Sequence, residues 1–357
     1  MKLRYLKIPY YLAFKPLKVG NRPLHLQVEP TDACNQKCGM CYRDRLIEKP
    51  VRMTLDQFKH VLDEVRPTNV NISGLGEPLL HKEIFDMVRY AKAKGMGVTF
   101  PTNLTLAHKK VDELVESGID VLKVSLDATT PETYKKIRGT DHFDRVVETL
   151  EAINATKAER GLDSPHIRIN YALQKLNIDE LLDMVRMARD LKAEAIYVQY
   201  LDYVDVDDLK DELVGEMSSI DLAGLLTRAQ ALAKEAGIET NIPVWLRDLE
   251  IYREKMNSMG KRLPLERKCY YPWITTFIEA NGDVKACPIF TRKRGVARLG
   301  NIFEQSFDSI WNGEAYIELR KQLRSGGRPT APCKQCVPQS LSNIFMIFSK
   351  MLPGWKI

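Results

Sequence analysis

The sequence predicts an α/β fold: a partial (β/α)6 TIM-like barrel followed by a small C-terminal α+β domain. Three observations carry that reading. Six apolar, β-rich runs alternate with segments of helical periodicity, the pattern of parallel strands joined by right-handed crossovers. Glycine, hydroxyl, carboxylate and thiol residues gather just after those runs, where barrels of this kind place their chemistry. A second group of cysteines lies beyond the last repeat, so the chain continues into a further module.

The strands expected in order are Leu24–Glu29, Asn69–Ser73, Gly97–Pro101, Val121–Leu126, His166–Leu173 and Ala195–Tyr200. Each is a short run of Val, Ile, Leu or aromatic residues bounded by polar or turn-forming ones. Helices fit between them over Thr54–Val65, with Thr54 as N-cap, His81–Lys94, Leu106–Ser117, Phe143–Arg160 and Ile178–Leu191, and a sixth, Ser219–Ala236, follows the last strand. The domains expected are an N-terminal extension (1–23), the barrel (24–240), a second domain (241–337) and a C-terminal tail (338–357).

The chain has 357 residues, 44% hydrophobic and 28% charged, which excludes disordered and fibrous classes. No stretch approaches the ~20 consecutive apolar residues of a membrane-spanning helix. The N-terminus has basic residues scattered through its apolar positions and no small-residue cleavage site, so it does not read as a signal peptide, and the expected compartment is the cytoplasm. The net charge of +6 is unevenly spread: six Lys/Arg and no acid precede Glu29, and seven Lys/Arg and no acid follow Glu318. These ends are either solvated tails or a surface for an anionic partner, such as lipid headgroups or a phosphorylated substrate. Tyr5, Tyr10, Tyr11 and Phe14 at one end, and Ile344, Phe345, Leu352 and Trp355 at the other, interleave with the charges. The segment Asn343–Trp355 suits a membrane interface or a cap on the protein's own core, so peripheral membrane contact through the tails is one expectation. Nucleic acid is not an expected partner, because no helix-turn-helix or finger pattern accompanies the charge.

Seven cysteines fall in two sets. Cys34, Cys38 and Cys41 form C-x3-C-x2-C; Cys269 and Cys287 precede the C-x2-C pair Cys333 and Cys336. An odd count in a cytoplasmic-looking chain argues for metal rather than disulfides. Three thiolates suit a cubic iron–sulfur cluster with one iron left open, and four suit a fully ligated site. Zinc is the competing occupant of the second set.

C-x3-C-x2-C after a strand resembles the signature of the radical S-adenosylmethionine (SAM) superfamily. That resemblance implies a [4Fe-4S] cluster on Cys34, Cys38 and Cys41, whose open iron binds SAM. The family usually has an aromatic residue just before the third cysteine; here that place is Met40, and Tyr42 follows instead. Ser73-Gly74-Leu75-Gly76-Glu77-Pro78 resembles the family's glycine-rich segment, with Gly74, Gly76 and Glu77 near the methionyl amino group. Asn103 after the third strand, Ser125 and Asp127 after the fourth, Arg138 in Ile137-Arg138-Gly139, and Asn177 and Gln199 near the last two strands complete the implied SAM contacts. Hydroxyl and carboxylate suit ribose, and a planar guanidinium suits a carboxylate. Cys269-x12-Gly282-x4-Cys287 and the later C-x2-C, with Leu299-Gly300-Asn301-Ile302 and Ser309-Ile310-Trp311 between, resemble the SPASM auxiliary-cluster domain in its shortened, twitch form. This implies a second [4Fe-4S] cluster on Cys269, Cys287, Cys333 and Cys336.

All seven thiols are then assigned. An epimerase commonly needs a spare thiol to return a hydrogen atom, whereas a fully ligated second cluster suits removal of an electron. The expectation is therefore a radical SAM oxidoreductase that dehydrogenates its substrate. Epimerisation, peptide modification and a non-catalytic electron carrier or zinc protein are the alternatives. Peptide maturases often carry a leader-binding domain before the barrel, and only 23 residues precede the first strand. The expected partners are a reductant such as flavodoxin or ferredoxin and a small-molecule or lipid-linked, anionic substrate. Tyr171, Gln199, Tyr200 and Tyr203 are candidate pocket residues; no catalytic base is identifiable.

Overall fold

A computed structural model describes residues 8–200, 221–257, 269–288 and 298–327, together with Pro329, Cys333 and Cys336. Tyr200's side chain, Tyr203 and the C-terminal tail lie outside the described residues. The chain divides into two compact units, one of Met1–Ala33, Arg45–Thr99 and Lys261–Trp355 and one built mainly of Cys34–Asp44 and Phe100–Gly260.

The first unit contains β1 (His25–Val28), β2 (Asn69–Ile72), the start of β3 (Gly97–Thr102), β8 (Thr275–Ile278), β9 (Asp283–Lys285) and β10 (Gly300–Asn301). Their order is β10-β9-β8-β1-β2-β3. Strand β1 is parallel to both β2 and β8, with His25 opposite Asn69 on one side and Thr275 on the other. The hairpin β8–β9 and the β9–β10 pair are antiparallel. Helix α1 is Leu55–Val65, started by Thr54 in a capping box with Gln57. Thr54 accepts from the Gln57 N–H while Gln57 accepts from the Thr54 N–H, which satisfies two otherwise orphaned donors. Its Phe58, Val61, Leu62 and Val65 are fully buried.

The second unit holds β4 (Val121–Ser125), β5 (His166–Leu173), β6 (Ala195–Tyr200) and the two-residue β7 (Glu239–Thr240), all parallel and adjacent in that order. In β5 exposure alternates residue by residue, so Ile167, Ile169, Tyr171 and Leu173 are buried on one face. Tyr171 therefore packs in the core, donating its hydroxyl to the Asn177 carbonyl at 2.6 Å. It is not the pocket residue expected from the sequence, because the period of two turns it away from His166, Arg168 and Asn170.

The six barrel strands lie within a residue or two of their expected bounds. The helices are more broken: Leu106–Ser117 is a 3-10 turn at Ala107–Lys109 followed by Val111–Glu116, and Ile178–Leu191 splits into a 3-10 turn and Leu181–Asp190. Helix α2 (Pro131–Arg138) was not expected, although Thr130 caps it, Pro131 takes its first turn and Gly139 ends it in the left-handed region at φ 72°.

The N-terminal extension is not a solvated tail over its described length. Lys15, Tyr11 and Leu12 are buried, whereas Tyr10 and Phe14 stay exposed. Within the first unit the Trp273 indole donates to the Pro16 carbonyl at 2.8 Å, and Asn312 exchanges two bonds with Val19, at 2.9 and 3.0 Å. Arg320, fully buried, donates to the carbonyls of Leu17, Pro272 and Trp311 and stacks on Trp311. The basic residue Lys15 thus faces inward, against the Tyr270 ring at 4.0 Å.

Candidate functional site

In the second unit the three N-terminal thiols sit on a loop held by α2. The Gly39 N–H donates to the Ile137 carbonyl at 3.1 Å, and the Cys41 N–H donates to the Cys38 carbonyl at 3.0 Å. Asn35 joins the loop to Thr105 and Asn103, at 2.9 and 3.0 Å, while Asn103 also accepts from the Thr105 N–H and hydroxyl. Gln36 donates to Tyr134 and Thr140, at 3.3 and 3.2 Å. Asn35, Gln36 and Tyr134 were not singled out from the sequence; position between the cysteines was the available signal for the first two.

Arg138 joins this loop to the end of β4. One of its amino groups lies 3.8 Å from the Cys38 sulfur and the other is ion-paired with Asp127. Asp127 also accepts from the Ala172 N–H at 2.7 Å. Burial pushes the Asp127 carboxyl up, against the pull of Arg138. Burial also works against the Arg138 charge, yet Asp127 first, then Cys38 and Tyr134, hold that guanidinium above its ordinary value. The pair is a fixed positive and negative charge beside a thiol.

In the first unit the glycine-rich segment has a local reason for its glycines. A Cβ on Gly76 would meet the carbonyls of Ala33 and Thr31, both at 2.4 Å, and one on Gly74 would overlap the Glu29 carboxylate. Glycine is thus required by the chain's own turn after β1. Glu29 accepts from the N–H groups of Leu75 and Ala280, at 2.6 and 3.3 Å. Glu77 is buried and caps the next turn, accepting from the Leu79 N–H at 3.1 Å.

Ser125 ends β4 half-buried, Gln199 is exposed near the end of β6, and Tyr42 is half-buried after the triad. Asn177 spends its amide on the carbonyls of Asp127 and Ala172 and on the Gln174 N–H. Its geometry is that of a loop lock, which leaves the sequence's ligand reading of it unsupported.

The second cysteine set lies in the first unit. Burial pushes the Cys269 thiol up to about 12, with Cys336 and Cys333 adding to the rise and the Tyr271 N–H and Lys15 opposing it. Cys333 and Cys336 therefore lie near enough to Cys269 to disfavour its thiolate. Cys287 stands two residues beyond β9, next to Pro288. Gly282, at φ 87°, lets the hairpin turn under Phe303, whose ring a Cβ would meet at 2.4 Å.

All seven cysteines are free thiols, with Cys41 the exposed member of the triad. Among the described residues no three His, Cys, Asp or Glu donors converge on one metal ion. Soft thiols spaced along a loop, with a guanidinium whose Nε is buried and unbonded, fit a multi-iron cluster carrying net negative charge. No described helix is long and apolar enough to cross a membrane.

Comparison with known proteins agrees. The AdoMet-dependent heme synthase of Methanosarcina barkeri (strain Fusaro / DSM 804) is 28% identical over 318 residues, covering 85% of this chain and 86% of that protein. The tungsten-containing aldehyde ferredoxin oxidoreductase cofactor-modifying protein of Pyrococcus furiosus is 25% identical over 313 residues, 83% of each. SuiB of Streptococcus suis has a similar fold, with TM-score 0.66 and 18% identity over 88% of this chain and 71% of that one. The family model described as Radical SAM superfamily matches residues 28–188, and SPASM, an iron–sulfur cluster-binding domain, matches 269–337. With two such modules in succession and thiols in both, the chain carries a radical SAM domain followed by a SPASM domain.

Proposed function

We propose that the protein is a radical SAM oxidoreductase that dehydrogenates an anionic small molecule. The cofactors supply reductive cleavage of SAM to methionine and a 5′-deoxyadenosyl radical at the triad cluster, fed by a flavodoxin- or ferredoxin-like reductant, and an electron acceptor at the auxiliary cluster. The substrate then loses one hydrogen atom, one electron and one proton, a net loss of two hydrogens. Cys34, Cys38 and Cys41 would hold the first cluster, and Cys269, Cys287, Cys333 and Cys336 the second.

The chain's own part is positioning. Arg138 places a cation between Cys38 and Asp127, where it balances thiolate charge and offers its free Nε to the SAM carboxylate. Ser125 and Asp127 would contact the ribose of SAM, and Tyr42, Asn103 and Gln199 would border its nucleotide. What supports the oxidative reading is that Cys333 and Cys336 lie near enough to Cys269 to act on its charge, with no cysteine outside the two sets.

The test is product analysis on anaerobically reconstituted protein holding about eight iron per chain. A product two hydrogens lighter, with one SAM consumed, is expected; a redox-neutral epimer refutes the proposal. Peptide modification is the second reading, favoured by the fold shared with SuiB, which has been solved bound to its precursor peptide SuiA. A crosslinked or epimerised peptide product would establish it instead.

A further inference from the structure

In the second unit, β4 and β5 place two cations directly opposite each other: the parallel register pairs Lys123 with Arg168 and Ser125 with Asn170. On β6, Tyr197 lies opposite Asn170. Alternation sets Lys123, Ser125, Arg168, Asn170 and Tyr197 on the face opposite Leu122, Val124, Ile167, Ile169 and Val198, which are buried in the core. The Arg168 guanidinium lies over the Tyr197 ring at 4.4 Å. Its Nε and the Asn170 Oδ1 are buried with no hydrogen-bond partner.

Two cations in this position would ordinarily bring an acid with them. Among the described residues neither is in an ion pair. Glu194, the acid at the foot of β6, is taken up by His166 at 3.3 Å, the Ile167 N–H at 2.6 Å and Lys157 at 3.6 Å. Burial lowers Lys123 well below its ordinary value, with Arg168 adding to the effect, and lowers Arg168 to about 10 against the pull of Tyr197. The face is therefore short of negative charge. Lys123 lies about 7 Å along β4 from Ser125, one strand repeat of two residues.

We propose that Lys123 and Arg168, flanked by Ser125, Asn170 and Tyr197, form a recognition site for a carboxylate or phosphate group of the substrate. The site rests on the small-molecule reading above and deepens it. A bound anion satisfies the fork of Arg168 and the ammonium of Lys123 together, and so fixes which carbon of the substrate stands beside the ribose end of β4. Burial disfavours the Lys123 ammonium, and a bound anion offsets that cost.

The experiment uses the full chain, reconstituted anaerobically, titrated with inorganic phosphate and separately with succinate at constant ionic strength by calorimetry. One of the two should bind saturably, identifying phosphate or carboxylate as the preferred group. Arg168→Gln and Lys123→Met should each weaken that binding by about tenfold or more, with Arg168→Lys intermediate, while SAM affinity stays within about twofold. Both substitutions should leave the fold intact, since among the described residues neither side chain is in an ion pair. Absence of saturable binding by either anion, equal binding by the variants, a parallel loss of SAM affinity, or collapse of the fold in either variant overturns the proposal. The binding needs no turnover: a wild-type chain that binds the anion but makes no 5′-deoxyadenosine refutes the proposed function and leaves this site standing.

Discussion

Gly139→Ala tests how the triad loop is held. Gly139 ends α2 at φ 72°, and a Cβ there would stand 2.7 Å from the Lys37 carbonyl, between Cys34 and Cys38. The left-handed backbone costs an alanine about 1 kcal/mol, and the overlap with a backbone oxygen adds about 1–3 kcal/mol. Gly161 provides the control: its φ is 62°, with nothing within 4 Å of an added methyl. Gly161→Ala should therefore cost only the first component. Denaturant unfolding of the apo chain should show Gly139→Ala less stable than Gly161→Ala by about 1–3 kcal/mol. After reconstitution, Gly139→Ala alone should lose iron, because the displaced carbonyl belongs to the thiol loop. If the two variants agree within about 0.5 kcal/mol and both retain full iron, the loop does not lean on α2 and the reasoning fails.

Three further outcomes follow from the packing. Arg320→Met strips the donor from the Leu17, Pro272 and Trp311 carbonyls and should destabilise the protein by about 3 kcal/mol in thermal unfolding followed by circular dichroism. Burial, with Glu29, Asp283 and Asp32 adding to it and Lys285 opposing, raises the Glu279 carboxyl from 4.5 to about 7. The protonated form is thus favoured by folding: its contribution is full below the unfolded value and is lost as pH climbs to about 7. Glu279→Gln should raise stability at pH 8 by on the order of 3 kcal/mol and leave it unchanged near pH 4, measured by denaturant unfolding at both. Lys15→Met removes the cation that acts on Cys269, so an EPR-monitored redox titration should find the auxiliary cluster harder to reduce and the triad cluster unchanged.

The barrel strands were legible because each is a short apolar run between polar turns, and the period of two survives in β5 residue by residue. Helix α2 was missed: Thr130, Pro131 and Gly139 mark its ends, but its charged residues hide the hydrophobic stripe that marks longer helices. Pairing was not legible. Nothing local to His25 announces that Thr275, 250 positions later, lies beside it, because parallel register is set by tertiary packing. The same limit applies to the glycines: Gly74 and Gly76 stood out by type, yet the groups that forbid a side chain there, Glu29 and the carbonyls of residues 31 and 33, are known only once the turn after β1 is seen. Arg138 was singled out from three letters, while its ion pair with Asp127 and its approach to Cys38 depend on how α2 meets the loop.

The place of β1 between β2 and β8 has a consequence for biosynthesis. Translation at roughly 5–20 residues per second leaves on the order of ten seconds to a minute between synthesis of His25–Val28 and arrival of Thr275–Ile278. Throughout that interval the nascent chain carries a strand with one open edge, the kind of edge that invites pairing with a neighbour. Expression at low temperature or with added chaperones should therefore improve the soluble yield of this protein before it alters anything about the mature molecule.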